Sequence, residues 1–199
     1  MIEIRFSGYG GQGIIRCGLI TGKAISLFDN KYATMTQSFG PEARGSACSS
    51  QVVVSEERVL YPYITKPEFL VSMSQEAYDK YVTDLINNGT LIIDSDLVKL
   101  KPQPGKMKIY SIPSTRFAEE MGNRIFANLV MLGFFTAISK AASPEAMKKA
   151  LPGLVPQRSL DINIKAFEKG YEYGMEILSK EKEENKEKTQ KASNKKGKK

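Results

Sequence analysis

Short apolar runs alternate with stretches of helical spacing along most of the chain. IEIRFS (2–7) reads as a strand, and IIRCGLITGKAISLF (14–28) as a helix with Ile14, Leu19 and Ile25 turned inward. YATMTQS (32–38) is a second strand, leaving through the loop FGPEARGSA, and SSQVVVS (49–55) a third. No helix separates these two, so part of the sheet is expected to be antiparallel. VLYPYI is a candidate edge strand, demoted by Pro62. EFLVSM (68–73) precedes a helix capped by Ser74 and closed at Asn87-Asn88-Gly89. TLIIDSD (90–96) and KIYSIP (108–113) are strand-like again. Helices are expected from 114 to about 142, with Asn123 as a break, and another from Ser143-Pro144-Glu145, where Ser caps and Pro takes the first turn. A last helix begins at about 160, with Leu160, Ile164, Phe167, Tyr171 and Leu178 on one face. This alternation predicts a layered, Rossmann-like α/β domain with a mixed, mostly parallel sheet.

Charge divides the chain. Of the formal net charge of +7, +5 lies in residues 180–199, KEKEENKEKTQKASNKKGKK. That stretch has no large apolar residue with which to offset its ordering entropy. Residues 1–179 are therefore read as a single α/β domain and 180–199 as a disordered lysine-rich tail. With no basic stripe or interleaved aromatics in the body, no nucleic-acid partner is expected. Glu3 and Arg5 stand where a signal peptide would need an apolar core, and IFANLVMLGFFTAI (125–138) is too short to span a bilayer and contains Asn128. No membrane association is expected, and the cytoplasm is the expected compartment.

Histidine is absent from all 199 residues. That removes Ser-His-Asp and Cys-His catalysis and HExxH zinc sites from this chain. Cys17 and Cys48 have no metal-ligand spacing and read as small buried apolar residues. Asp94 and Asp96 could hold a cation, but no further carboxylate stands nearby and a solvated strand end is the simpler reading.

The densest feature is FSGYGGQGI (6–14), in which Gly8, Gly10 and Gly13 have dinucleotide-turn spacing between a strand and a helix. Free backbone N–H groups and a helix N-terminus aimed at one point suit a phosphate. The same glycines would also serve close strand–helix packing. NAD fits poorly, since the second strand ends in Thr36-Gln37-Ser38, with no carboxylate for a ribose. A P-loop fails because Gly22-Lys23 is followed by Ala24. The candidate binding residues are Gly8, Gly10, Gly11, Gln12, Gly13, then Gln37, Glu42 and Arg44 in the loop after the second strand, and Asn128 in the apolar helix. Glu42 and Arg44 could equally pair with each other, and Asn128 is either a core residue or an inward polar handle.

In order, GYGGQGI, TQSFGPEARG, MSQEAYDKY and LIIDSD resemble the gamma component of the 2-oxoacid:ferredoxin oxidoreductases, over Met1 to roughly Gly174. The TQSFGPEARG form looks more like the 2-oxoglutarate branch (2-oxoglutarate synthase) than the pyruvate branch. Ser46 stands where that branch often has a second glycine, and the lysine-rich tail lies outside the pattern. The resemblance implies alpha and beta subunits that hold thiamine diphosphate and Mg, iron–sulfur clusters in a partner such as a ferredoxin-like delta subunit or domain, and ferredoxin as acceptor. It implies thiamine-dependent oxidative decarboxylation of a 2-oxoacid to an acyl-CoA, or the reverse, with no catalytic residue, resident cofactor or metal in this chain. CoA, shared at the glycine turn, is the expected ligand. A stand-alone nucleotide- or flavin-binding oxidoreductase and a scaffold subunit that binds no ligand stay open, as do pyruvate and indolepyruvate as substrates.

Overall fold

The computed structural model describes residues 1–39, 46–103 and 105–196, with side chains to residue 184. Its strands are β1 (Ile2–Tyr9), β2 (Tyr32–Ser38), β3 (Ala47–Ser55), β4 (Phe69–Ser72), β5 (Thr90–Asp94) and β6 (Lys108–Ile112). They form one sheet in the order β2-β3-β1-β4-β5-β6. The pairs β1–β4, β4–β5 and β5–β6 are parallel, while β3 runs antiparallel to both β1 and β2. The chain thus passes from β1 through α1 (Ile14–Phe28) to β2 and leaves a gap that β3 fills on its return.

Alternation along β1 sorts the two faces. Ile4 and Phe6 enter the larger core with residues of α1, α4 (Ala127–Ser139), α5 (Pro144–Ala150) and α6 (Leu160–Lys196). Ala118 of α3 (Ser114–Glu120) joins the same core. On the other face, α2 (Gln75–Tyr81) packs Tyr78 and Tyr81 over Leu70, Leu91 and Ile93. At the centre of the larger core, the Phe6 and Phe135 rings meet edge to face at 4.9 Å, the geometry favoured by the aromatic quadrupole. Apolar runs that are buried on both faces explain why β4 and β5 show no alternation in sequence.

Local chemistry sets the helix starts. The Ser74 hydroxyl accepts from Ala77 N, the Ser143 hydroxyl from Ala146 N with Pro144 in the first turn, and the Asn123 side chain from Ile125 N at the break before α4. The start of α3 depends on a residue from another element. Buried Asp94, at the end of β5, accepts from Ser114 Oγ at 2.5 Å, Thr115 N at 2.9 Å and Thr115 Oγ1 at 2.7 Å. Asp96 pairs with Arg116 at 2.9 Å. These carboxylates anchor a helix, and no metal-ligating group of three or more occurs among the described residues.

Several expectations differ from the structure: Asp94, read as a solvated strand end, is fully buried, and the helix after Ser74 ends at Tyr81 rather than at 87–89. Residues 59–64 form no strand; the segment is a loop between β3 and β4. Leu19 points outward, 45% exposed, because α1 buries Ile14, Cys17, Ile20 and Ala24 instead. The helix α6 runs as far as Lys196. Its Lys, Glu, Gln and Ala residues are strong helix formers, so a backbone helix there needs no apolar face to propagate from residue 179. No helix among the described residues is long and apolar enough to cross a membrane.

Candidate functional site: the glycine turn

The glycine turn closes the C-terminal end of β1, at the edge of the parallel strands where open α/β sheets receive ligands. Gly11 (φ +101°) and Gly13 (φ +78°) lie in the left-handed region, which a side chain would strain. Gln12 ties the turn down. Its Oε1 accepts from Tyr9 N at 2.7 Å and its Nε2 donates to Met73 O at 2.9 Å, joining the ends of β1 and β4. Gln12 therefore braces the turn while also lining the first cleft. Gly8 is buried over the Gln12 and Ile14 side chains.

The returning strand brings the second loop alongside. Gly10 N donates to Ser46 O at 3.2 Å, and Tyr9 pairs with Ala47. Exposed Gln37 pairs with Ser50 at the same end of the sheet. Glu42 and Arg44 lie outside the described residues. The strand beside β1 here is antiparallel and opens with Ala47-Cys48-Ser49, so β2 is not the neighbour that a ribose carboxylate would require.

Two clefts share Gly10 and Gly11. The first, of about 660 Å³, is lined by the turn, Ser74 and Gln75 at the start of α2, Thr115 of α3, and Arg124 and Ala127 before and at the start of α4. The second, of about 530 Å³, lies between the turn and Arg16, Phe39, Cys48 and Leu154. The N-termini of α1 and α4 thus lie at the same edge of the sheet, each bringing a positive dipole end. One exposed arginine stands by each cleft, Arg124 and Arg16.

Asn128 ties α4 to the turn. It is 2% exposed, its amide lies against the Cα of Gly13, and its Oδ1 has no hydrogen-bond partner among the described residues. A buried amide oxygen left unpaired costs about 1–3 kcal/mol. Cys17 sits behind it, with Sγ 3.7 Å from Asn128 O. Burial pushes the Cys17 thiol up to about 12 and raises that of Cys48 as well. Neither thiol is primed as a nucleophile.

Arg16 and Arg124 were not visible as site residues in the sequence. Arg16 reads as an ordinary polar helix position. Arg124 lies in the polar turn MGNRI, and only the packing of α4 beside the turn gives it a role.

A sequence profile of the family described as pyruvate ferredoxin/flavodoxin oxidoreductase matches residues 3–173. The chain belongs to that family. It is of the gamma-subunit type in the 2-oxoacid:ferredoxin oxidoreductases, as GYGGQGI and TQSFGPEARG implied. It is 48% identical over 177 residues to the 2-oxoglutarate synthase subunit KorC of Methanocaldococcus jannaschii, covering 88% of this chain and 95% of that one. The gamma subunit of a keto/oxoacid ferredoxin oxidoreductase from Geobacter sulfurreducens superposes with a TM-score of 0.78 at 40% identity, covering 88% and 99% of the two chains. The same fold occurs in the 2-oxoglutarate:ferredoxin oxidoreductase of Magnetococcus marinus, solved with 2-oxoglutarate, coenzyme A and succinyl-CoA. There the TM-score is 0.77 at 24% identity, with 87% of this chain matching only 31% of that longer one.

Proposed function

We propose that this chain is the gamma subunit of a 2-oxoglutarate:ferredoxin oxidoreductase and receives the nucleotide end of coenzyme A at the glycine turn. One observation carries the reading: turn amides, the N-termini of α1 and α4, and the Arg16 and Arg124 side chains all border two clefts that meet at Gly10 and Gly11. An elongated ligand with its phosphates at that meeting point would reach into both. Phe39, 64% exposed in the second cleft, offers a face for a purine. The orphaned Asn128 Oδ1 supplies a buried acceptor beside Gly13. Arg44, in the loop after β2, is proposed on its sequence position as a further phosphate contact. Thiamine diphosphate, Mg and the iron–sulfur clusters belong in this reading to partner alpha, beta and delta-type subunits, and ferredoxin accepts the electrons of the whole complex.

The test is kinetic. A lost hydrogen bond to a charged group costs about 1.5–3 kcal/mol, roughly a ten- to hundredfold change in affinity. In a reconstituted complex, Arg124→Ala should raise the apparent KM for CoA by about that factor. The CoA-independent decarboxylation of 2-oxoglutarate should keep its rate. An unchanged KM would remove Arg124 from the site, and unchanged CoA binding in Arg16→Ala and Arg44→Ala as well would leave the turn a structural element. The scaffold reading has one observation in its favour, since Gln12 and Asn128 already account for Gly8 and Gly13 by packing alone.

A further inference from the structure

The loop between β3 and β4 carries a cluster of exposed apolar residues away from the glycine turn. Leu60 is 87% exposed, Tyr61 65% and Tyr63 61%, and the two tyrosine rings meet edge to face at 5.7 Å. Exposed aromatics of this kind usually belong to loose loops. This segment is anchored instead. At its end, Ile64 is buried, and both of its backbone groups are held by side chains of the sheet: Gln51 Oε1 accepts from Ile64 N at 3.3 Å, and Arg5 Nη2 donates to Ile64 O at 3.4 Å. Arg5 and Gln51 are register partners on β1 and β3. The Arg5 guanidinium is itself buried, paired with Asp84 and seated 4.8 Å over the Tyr81 ring. A buried cation is costly unless well paired. Here one is used to fix a surface loop.

We infer that Leu60, Tyr61 and Tyr63 form a preorganised docking knob for the subunit of the same oxidoreductase complex that corresponds to the rest of the longer chain seen in the Magnetococcus enzyme. That chain supplies the argument for the occupant. This fold fills 31% of it, whereas the KorC relative is matched over 95% of its length as a subunit in its own right; on this proposal the remainder of the long chain is the counterpart of a partner subunit. Tyrosines on a rigid base suit such a contact, because little conformational freedom is lost when they bind. Glu56, Glu57, Arg58 and Lys66, exposed and near in sequence on both sides, flank the apolar segment with charge. The partner surface fitting this shape is an apolar recess with hydrogen-bond acceptors for two phenol hydroxyls. The inference rests on the chain being a subunit of a larger complex and is independent of where CoA binds.

The experiment uses the full chain and its partner subunits. Tyr61→Ala/Tyr63→Ala changes only exposed side chains, so the isolated variant should melt as the parent does and keep the parent's affinity for CoA. Its affinity for the partner subunits, measured by sedimentation, should fall by about thirtyfold or more, the loss typical of two anchor residues. Gln51→Ala, which releases one of the two ties on Ile64, should weaken association by a smaller factor. Unchanged partner affinity in the double variant overturns the inference. So does an isolated parent chain that dimerises and that the double variant renders monomeric, since the knob would then serve a second copy. Failure of CoA to bind either protein would sink the CoA reading and leave the docking result standing.

Discussion

The Cα of Gly13 lies directly against the side-chain amide of Asn128, joining the turn before α1 to the first turn of α4. Any Cβ at Gly13 would overlap that amide and would also be held at φ +78°. Gly13→Ala should therefore lose about 1–2 kcal/mol through the left-handed backbone and a further amount through the overlap. Removing the amide in Gly13→Ala/Asn128→Ala should recover only the second part. Urea unfolding of the three proteins measures this, and equal stability of the single and double variants would show that Asn128 yields without cost.

The α4–α6 contact depends on backbone approaching backbone. A Cβ on Gly133 would overlap the carbonyl of Phe167, and one on Gly170 the carbonyl of Val130. Gly133→Ala should cost about 1–3 kcal/mol by forcing the helices apart. Gly22, in the middle of α1 with open space where a Cβ would go, is the control. Gly22→Ala should be neutral or stabilise by up to about 1 kcal/mol. Thermal melts of both distinguish the sites, and a Gly133→Ala melt equal to the parent's would refute the close approach.

Cys17 should resist alkylation in the folded protein. With its thiol pushed up to about 12 by burial, only about one molecule in a thousand carries the thiolate at pH 9. Peptide mass spectrometry after iodoacetamide treatment should find Cys17 modified only once urea unfolds the chain. Rapid native labelling at that position would mean that the α1–α4 contact opens easily.

The C-terminal helix touches the sheet beyond residue 179. Tyr110 on β6 donates its hydroxyl to Glu181 at 3.0 Å. Burial first, and then the Glu181 carboxylate, hold the Tyr110 phenol above its ordinary value. Deleting residues 185–199 should leave the phenol titration, melting and assembly unchanged. Truncation from residue 180 should move the titration to lower pH and cost about 0.5–1 kcal/mol. A titration indifferent to both truncations would place Glu181 away from the sheet in solution.

Local rules made the helix starts readable. Ser74, Asn123 and Ser143 each cap where their side chains suggest, and the missing helix between YATMTQS and SSQVVVS pointed to an antiparallel pair. Contacts between distant segments left no such trace. Nothing near Asp94 shows that its carboxylate meets Ser114 and Thr115, some twenty residues on. Arg5 looks like an exposed alternate position of a strand until Asp84 and Ile64 close around it. Arg124 gains its place only because α4 begins beside the turn. The glycine spacing marked the turn, while the arginines that flank its clefts are set by how the helices pack.

The antiparallel strand between β1 and β2 gives the subunit a built-in ruler. Ala47, its first residue, stands opposite Tyr9 at the glycine turn, and Ser55, its last, leads into the loop that bears Tyr61 and Tyr63. Gln51, whose side chain holds Ile64 beside Tyr63, lies four steps along the strand from Ala47, roughly 14 Å. A strand hydrogen-bonded on both sides cannot slip by one residue without turning its core side chains to the wrong face. If the two proposals hold, a carrier moored at the turn would be presented to the subunit gripping the knob at a constant reach.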